Sequence, residues 1–397
     1  MPTLPPDLEV ENVLLYVADA VRWDYTPDRI INKGLCAKSI AASIHSPSSF
    51  ASILSGMHLP QHQVGQFQDT LPSECFNLVT SLDMRANFAN TINHKIGAAD
   101  GGDDIISNTL NIPLTHPDNF EELEPPFIFV ERGKGGHSPY GPYDGDSWDY
   151  YQDRGAMNSS QYAEEYREGV ENDADWFQTR LEILADRGLL EDTLVIYTSD
   201  HGELLGERGM LAHSPPIHRR HVEVPTVFIH PEIDKEFRRD RVVRHVDLVP
   251  TILSVLNADV RLTQFPGRNL QEELPAKIAT SLFNQSQTIY GDTGVSLRYN
   301  SVWDSKGGYV FPRSNRMTRL AVGLKRFVSA PWRRFFISHA TRNLPNLLQG
   351  PHRYGTPQMS IEESKERVQE ITQLDAFKGS ETVAVPEEKL KNLGYMQ

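Results

Sequence analysis

Four apolar runs that never alternate with polar residues constrain the fold of this chain more than any other feature. Val13–Val17, Phe127–Val130, Leu194–Thr198 and Thr226–Ile229 are each about one strand long and rich in β-branched or aromatic residues. A strand with one wet face alternates in polarity, so these runs are expected to be buried on both faces. Between the second and third runs, Tyr162, Tyr166, Val170, Ala174, Phe177, Leu181 and Leu184 recur every three or four residues. That is the single apolar stripe of a long amphipathic helix. Ser159 or Ser160 can cap its start, and Gly188 fits its end. The succession of strand, helix and strand predicts an α/β fold, with a mostly parallel central sheet flanked by helices on both faces.

A chain of 397 residues can bury a large core without covalent or metal staples. Its two cysteines, Cys36 and Cys75, are too few for a disulfide framework or a four-Cys zinc site, and they fit a reducing compartment or indifference to redox state. A net charge of −14 argues against a nucleic-acid partner, because phosphate attraction needs a positive surface. The first ten residues lack a basic stretch and an apolar one, and no later segment is apolar over the roughly 20 residues a bilayer requires. The expectation is a soluble, cytoplasmic protein.

One segment departs from the acidic average. Lys306–Ile361 contains ten Lys and Arg and no Asp or Glu, which leaves the rest of the chain at −24. Phe311, Phe327, Trp332, Phe335 and Phe336 are interleaved with the bases. The segment reads either as a flap salt-bridged to the acidic body or as a surface for an anionic substrate or weak anionic-membrane contact. With the acidic, helix-patterned tail it defines an expected C-terminal subdomain at 301–397, beside a catalytic domain at 1–300. Oligomeric state is not written in the sequence.

In open parallel sheets, ligands collect at the carboxyl ends of the strands. The first apolar run delivers Asp19, and the third delivers Asp200, His201, Gly202 and Glu203. One carboxylate and an adjacent Asp-His pair form a plausible divalent-metal set, although each Asp alone could cap a helix. Between them, His45-Ser46-Pro47-Ser48-Ser49 precedes an apolar stretch ending at Gly56. That pattern puts a hydroxyl at a helix N-terminus, where the dipole favours an anion. A serine there in contact with a cation would be partly ionised and nucleophilic; otherwise these serines only cap the helix.

In this order the motifs resemble the sulfatase family of the alkaline phosphatase superfamily. The matching segments are Asn12–Asp24, Ser46–Gly56 with Pro60 and His62, Pro126–Tyr140, Thr193–Gly209, Val224–Ile229 and Val246–Thr251, with Leu393-Gly394-Tyr395 near the end. Tyr197–Glu203 is the most specific piece. The resemblance implies an alkaline-phosphatase-like fold with a smaller C-terminal subdomain. It also implies one divalent ion held by Asp19, Ser46, Asp200 and His201, with Ser46 as the nucleophile. By the same resemblance, His137 is directed at the ester or leaving group and His213 at the transferred group.

Two departures shape the expected chemistry. Sulfatases that use formylglycine carry Cys/Ser-x-Pro-x-Arg, whereas this chain reads Ser46-Pro47-Ser48-Ser49-Phe50. An unmodified serine is therefore expected, which brings in the phosphatases, phosphodiesterases and phosphoglycerol transferases of the superfamily. The first strand ends in Ala18-Asp19 where many sulfatases have Asp-Asp. One fewer carboxylate, with His201 present, favours Mn²⁺ or Zn²⁺, with Ca²⁺ or Mg²⁺ possible. No Asp-x-x-x-His pair exists for a second ion.

The expected activity is two-step hydrolysis of a sulfate or phosphate ester on an anionic small molecule, glycan or lipid. An imidazole near its ordinary pKa of about 6.5 protonates the leaving oxygen. A phosphoserine adduct is readily reversed and a serine sulfate is not, so the nucleophile favours phosphorus while the resemblance favours sulfur. Phosphodiester or phosphonate hydrolysis and head-group transfer at a membrane are the alternatives, and a non-catalytic binding protein is the remaining one.

Overall fold

The computed structural model describes residues 3–92, 104–290, 293–378, 381–383, 385 and 390. The Leu393-Gly394-Tyr395 motif lies outside them. In chain order the strands are β1 (Asn12–Ala18), β2 (Leu35–Ile40), β3 (Arg85–Asn90), β4 (Leu114–Thr115), β5 (Phe127–Gly133), β6 (Thr193–Ser199) and β7 (Leu204–Leu205). There follow β8 (Leu211–Ala212), β9 (Glu223–Ile229), β10 (Phe237–Arg244), β11 (Ala279–Tyr290), β12 (Thr293–Trp303), β13 (Gly307–Pro312) and β14 (His352–Gly355). The helices that matter here are α1 (Ser46–Ser55), α2 (Ser159–Asp186), α3 (Leu248–Val255), α4 (Arg316–Ser329), α5 (Arg333–Ser338), α6 (Ala340–Leu348) and α7 (Ile361–Thr372).

The main sheet runs β10-β2-β9-β6-β1-β5-β3-β4. β1 is its centre, parallel to β5 on one side and β6 on the other. Its alternate residues explain why the sequence shows no polar alternation. Val13, Leu15 and Val17 enter one core with Phe50 and Leu54 of α1 and Val249 and Ile252 of α3. Leu14, Tyr16 and Ala18 enter the core on the opposite face, with the apolar stripe of α2. All seven stripe residues are buried there. Helices thus cover both faces, as expected of a parallel α/β sheet.

The sheet is mixed at one point. β9, expected as one more buried strand, pairs antiparallel with both β6 and β2. The cap of α2 also shifts by one residue: Asn158 rather than Ser159 or Ser160 accepts the N–H groups of Ser160 and Gln161. Gly188, just past the helix, takes the left-handed φ of +69° that its position requires.

A second, antiparallel sheet, β11-β12-β13-β14, packs on the edge of the body. Its Phe283, Tyr299 and Trp303 share a core with Ile40, Ile44 and Ile217 of the main layer. This sheet starts at Ala279, so a boundary between residues 300 and 301 falls inside β12. In the acid-free segment, the buried Arg319 and Arg326 both donate to main-chain carbonyls. Arg319 donates to Leu347 and Gln349, and Arg326 to Pro215.

Candidate active site

Strand register brings the candidates at the ends of β1, β5 and β6 together. Ala18 at the end of β1 pairs with Gly133 of β5 and with Ser199 of β6. The next residue on β1 is Asp19 and on β6 is Asp200, while β5 runs into the turn that carries His137. The Asp19 N–H donates to the Gly133 carbonyl, and the Asp19 carbonyl accepts from Gly136. Gly135 is required at this junction, because a Cβ there would lie 2.0 Å from the Asp19 carbonyl oxygen.

Asp19, Asp200 and His201 are all buried, and each offers a ligand atom within 4.8 Å of the others. Bonds of about 2.0–2.6 Å to a shared ion fit that spacing. Asp200 uses Oδ1 to accept the N–H groups of Ala20 (3.0 Å) and His201 (2.8 Å). Its Oδ2 is buried with no hydrogen-bond partner among the described residues, and so is Oδ1 of Asp19. Two such oxygens side by side are costly unless a cation or proton joins them. Asp19 Oδ2 is taken by the buried Arg132, whose Nε donates at 2.8 Å. Asp19 therefore has one oxygen to give. Although burial pushes the Asp19 carboxyl up, Arg132, His137 and His201 outweigh it and hold the pKa below the usual value. Burial and the neighbouring Asp19 push Asp200 up.

His201 Nδ1 lies 3.0 Å from the Gly202 carbonyl, which assigns its proton to that nitrogen. The lone pair on Nε2 then points outward, and Ser46 Oγ sits 3.1 Å from it. Ser46 is the first residue of α1, with His45 before it as the N-cap and Pro47 in the first turn. The serines of this stretch have separate tasks. Ser49 bonds to the backbone of Ser43, Ser52 to His62 and Ser55 to Ala51, while Ser46 faces the site.

His137 and His213 are buried and join the group. His137 donates from Nδ1 to the Ser138 carbonyl at 2.6 Å. The ring of His213 lies 5.1 Å from that of His201, and its Nδ1 is 3.9 Å from Glu203. The expected imidazole near 6.5 is not what the site holds. Burial lowers His137 to about 4 and His213 to about 3, so both are neutral at pH 7 without a bound anion.

Two neighbours were not anticipated. Arg132 follows a buried apolar run, and a charge on a strand with no wet face could have flagged it. The ring of His45, immediately before Ser46, is tilted against that of His213 (6.3 Å) and meets Phe283 of β11 edge-on (6.4 Å). Phe283 also lines a cleft of about 670 Å³, with Gln63, Gln66, Asn284, Arg298 and Arg313 among its walls. The cleft therefore adjoins the site through the small sheet.

Behind the His137 turn, Asp173 of α2 accepts the Tyr16 hydroxyl at 2.9 Å and a backbone hydrogen bond from Gly135. Burial raises its pKa to about 7, against 3.8 when unfolded. The folded state thus prefers the proton, and stability falls as pH rises from about 4 through 7. Asp173→Asn keeps the acceptor and removes the ionisation. Its melting temperature should match the wild type near pH 4 and exceed it near pH 8, reflecting up to about 4 kcal/mol. Thermal denaturation of both proteins across that range checks this.

Comparison with known proteins follows the same lines. Residues 118–258 match the family model described as Sulfatase. The low-salt glycan biosynthesis sulfotransferase Agl7 of Haloferax volcanii is 29% identical over 409 residues, spanning 97% of this chain and 96% of the relative. Among solved structures, a 2-O GAG sulfatase is similar with a TM-score of 0.58 at 14% identity, over 85% of this chain and 91% of that one. The phosphonate monoester hydrolase of Agrobacterium radiobacter has a TM-score of 0.54 at 15% identity, over 87% and 100%. At these identities the two structures share the fold with this chain.

Proposed function

Because this chain belongs to the sulfatase family of the alkaline phosphatase superfamily, we propose that it is a metal-dependent hydrolase of glycan sulfate esters with Ser46 as nucleophile. One observation carries the reading. Ser46 Oγ is 3.1 Å from His201 Nε2, and His201 shares a ligand-distance cluster with Asp19 and Asp200, each of which has an unpartnered buried oxygen.

A divalent ion held by Asp19 Oδ1, Asp200 Oδ2, His201 and Ser46 would offset the ester's negative charge and favour the ionised serine. Ser46 Oγ attacks the sulfur in line, and the bond to the sugar oxygen breaks. His137 or His213 donates the proton which that oxygen needs. Both are neutral in the empty site, and the arriving anion supplies the opposite charge that raises an imidazole pKa. Water then displaces Ser46 Oγ, releasing sulfate and restoring the hydroxyl. Arg132 keeps Asp19 in one orientation throughout. The amides and two arginines of the adjoining cleft suit a hydroxyl-rich, anionic sugar.

The test is a hydrolysis screen of sugar sulfates, aryl sulfates, phosphate mono- and diesters and phosphonates across Mn²⁺, Zn²⁺, Mg²⁺ and Ca²⁺. Turnover of a sugar sulfate supports the reading, and turnover of phosphorus esters alone replaces sulfur by phosphorus. Inactivity on every ester with every ion rejects it. Mass spectrometry of the Ser46 peptide should return unmodified serine, since the motif lacks the arginine of the formylglycine pattern.

A second reading, sulfate transfer to an acceptor hydroxyl, is favoured by the relative of near-equal length whose name is sulfotransferase. In transfer, the acceptor alcohol takes the place of water in the second step. Supplying a sugar acceptor and measuring how the group divides between acceptor and free sulfate separates the two.

A further inference from the structure

We propose that α4 and α5 form a docking face for an anionic lipid bilayer. The two sides of α4 have opposite fates. Arg319, Val322, Gly323 and Arg326 are buried against the body. Met317, Leu324 and Val328 are 73%, 54% and 77% exposed. Spacings of seven and four residues place these three on one face. Ile337 of α5 is 51% exposed, and α5 is packed to α4 through Phe327 and Phe336 with ring centroids 4.8 Å apart. Among the described residues, six large apolar side chains are exposed, and the four most exposed of them are here.

The charges along α4 and α5 have one sign. At about 100° per residue, Arg316 and Lys325 lie roughly a quarter turn to either side of the apolar line. Their long stems can reach along apolar surface while their heads stay at the level of lipid phosphates. They belong to the 56-residue segment with ten bases and no acid, of which Arg319 and Arg326 are buried and the other eight are at least partly exposed. The face is the convex side of a helix, which suits lying in a headgroup layer. A symmetric pairing of two copies through this face would set bases against bases. No helix among the described residues is long and apolar enough to cross a membrane, so the contact is peripheral. The buried side of α4 supports the loop that carries His213, since Arg326 donates to the Pro215 carbonyl at 2.9 Å.

Flotation of the full chain with phosphatidylcholine vesicles, with and without about a third phosphatidylglycerol, tests the proposal. Binding to the anionic vesicles, released by salt, is expected, with little binding to the neutral ones. Arg316→Gln with Lys325→Gln should weaken it about thirtyfold. Leu324→Asp with Val328→Asp should weaken it at least about tenfold. All four side chains are at least partly exposed, so melting temperature and activity on a soluble ester should be unchanged. Binding to neither vesicle, or equally to both, overturns the proposal. So does self-association, or binding to an acidic protein, that these substitutions abolish while vesicle binding is absent.

Discussion

Ser46→Ala is expected to lower turnover by about 10⁴-fold or more while leaving the fold intact. The side chain is buried, and its hydrogen bond to His201 is worth about 1 kcal/mol of stability. The loss in rate is of a different order, because removing an attacking hydroxyl removes the covalent step itself. Initial rates on the best substrate from the screen, with metal content measured in parallel, check this. Wild-type turnover in the variant would show that the attacking group lies elsewhere. Loss of rate with metal retained would separate the nucleophile from a mere ligand.

Asp200→Asn should reduce bound metal from about one equivalent to near none and turnover by at least about 100-fold. The substitution is selective for a physical reason. Asp200 Oδ1 holds the turn by accepting from Ala20 and His201, and an asparagine can keep both bonds. The oxygen that changes is Oδ2, the one with no partner. Elemental analysis of the purified variant, alongside its melting curve, tests the assignment. Full metal occupancy in the variant would place the ion's ligands elsewhere.

The parts of this site that stand at strand ends were legible in the sequence. A continuous apolar run marks a buried strand, and the first polar residue beyond it marks its exit, which is how Asp19 and Asp200-His201 announce themselves. The same signal is blind to direction, so the antiparallel course of β9 could not be read from Thr226–Ile229. It is also blind to tertiary neighbours. Arg132 lies two residues past the apolar run of β5, and only the register with β1 shows that it meets Asp19. His45 is next to Ser46 in sequence, yet its ring contact is with Phe283, more than 200 residues away. The ordinary imidazole pKa expected for His137 and His213 failed because sequence carries no measure of burial. The acid-free segment showed its charge in the sequence, but its bases at 319 and 326 pair with carbonyls that only folding brings near.

The three neighbouring strands β6, β1 and β5 lead into the charged residues, whereas the cleft beside them is walled largely by the smaller sheet and the turn after α1. On the proposed reading, bond breaking and recognition are borne by separate pieces of backbone. Descendants of this chain could recut the rim, trading Arg298 or Asn284 for other side chains, and so change diet without relearning the reaction.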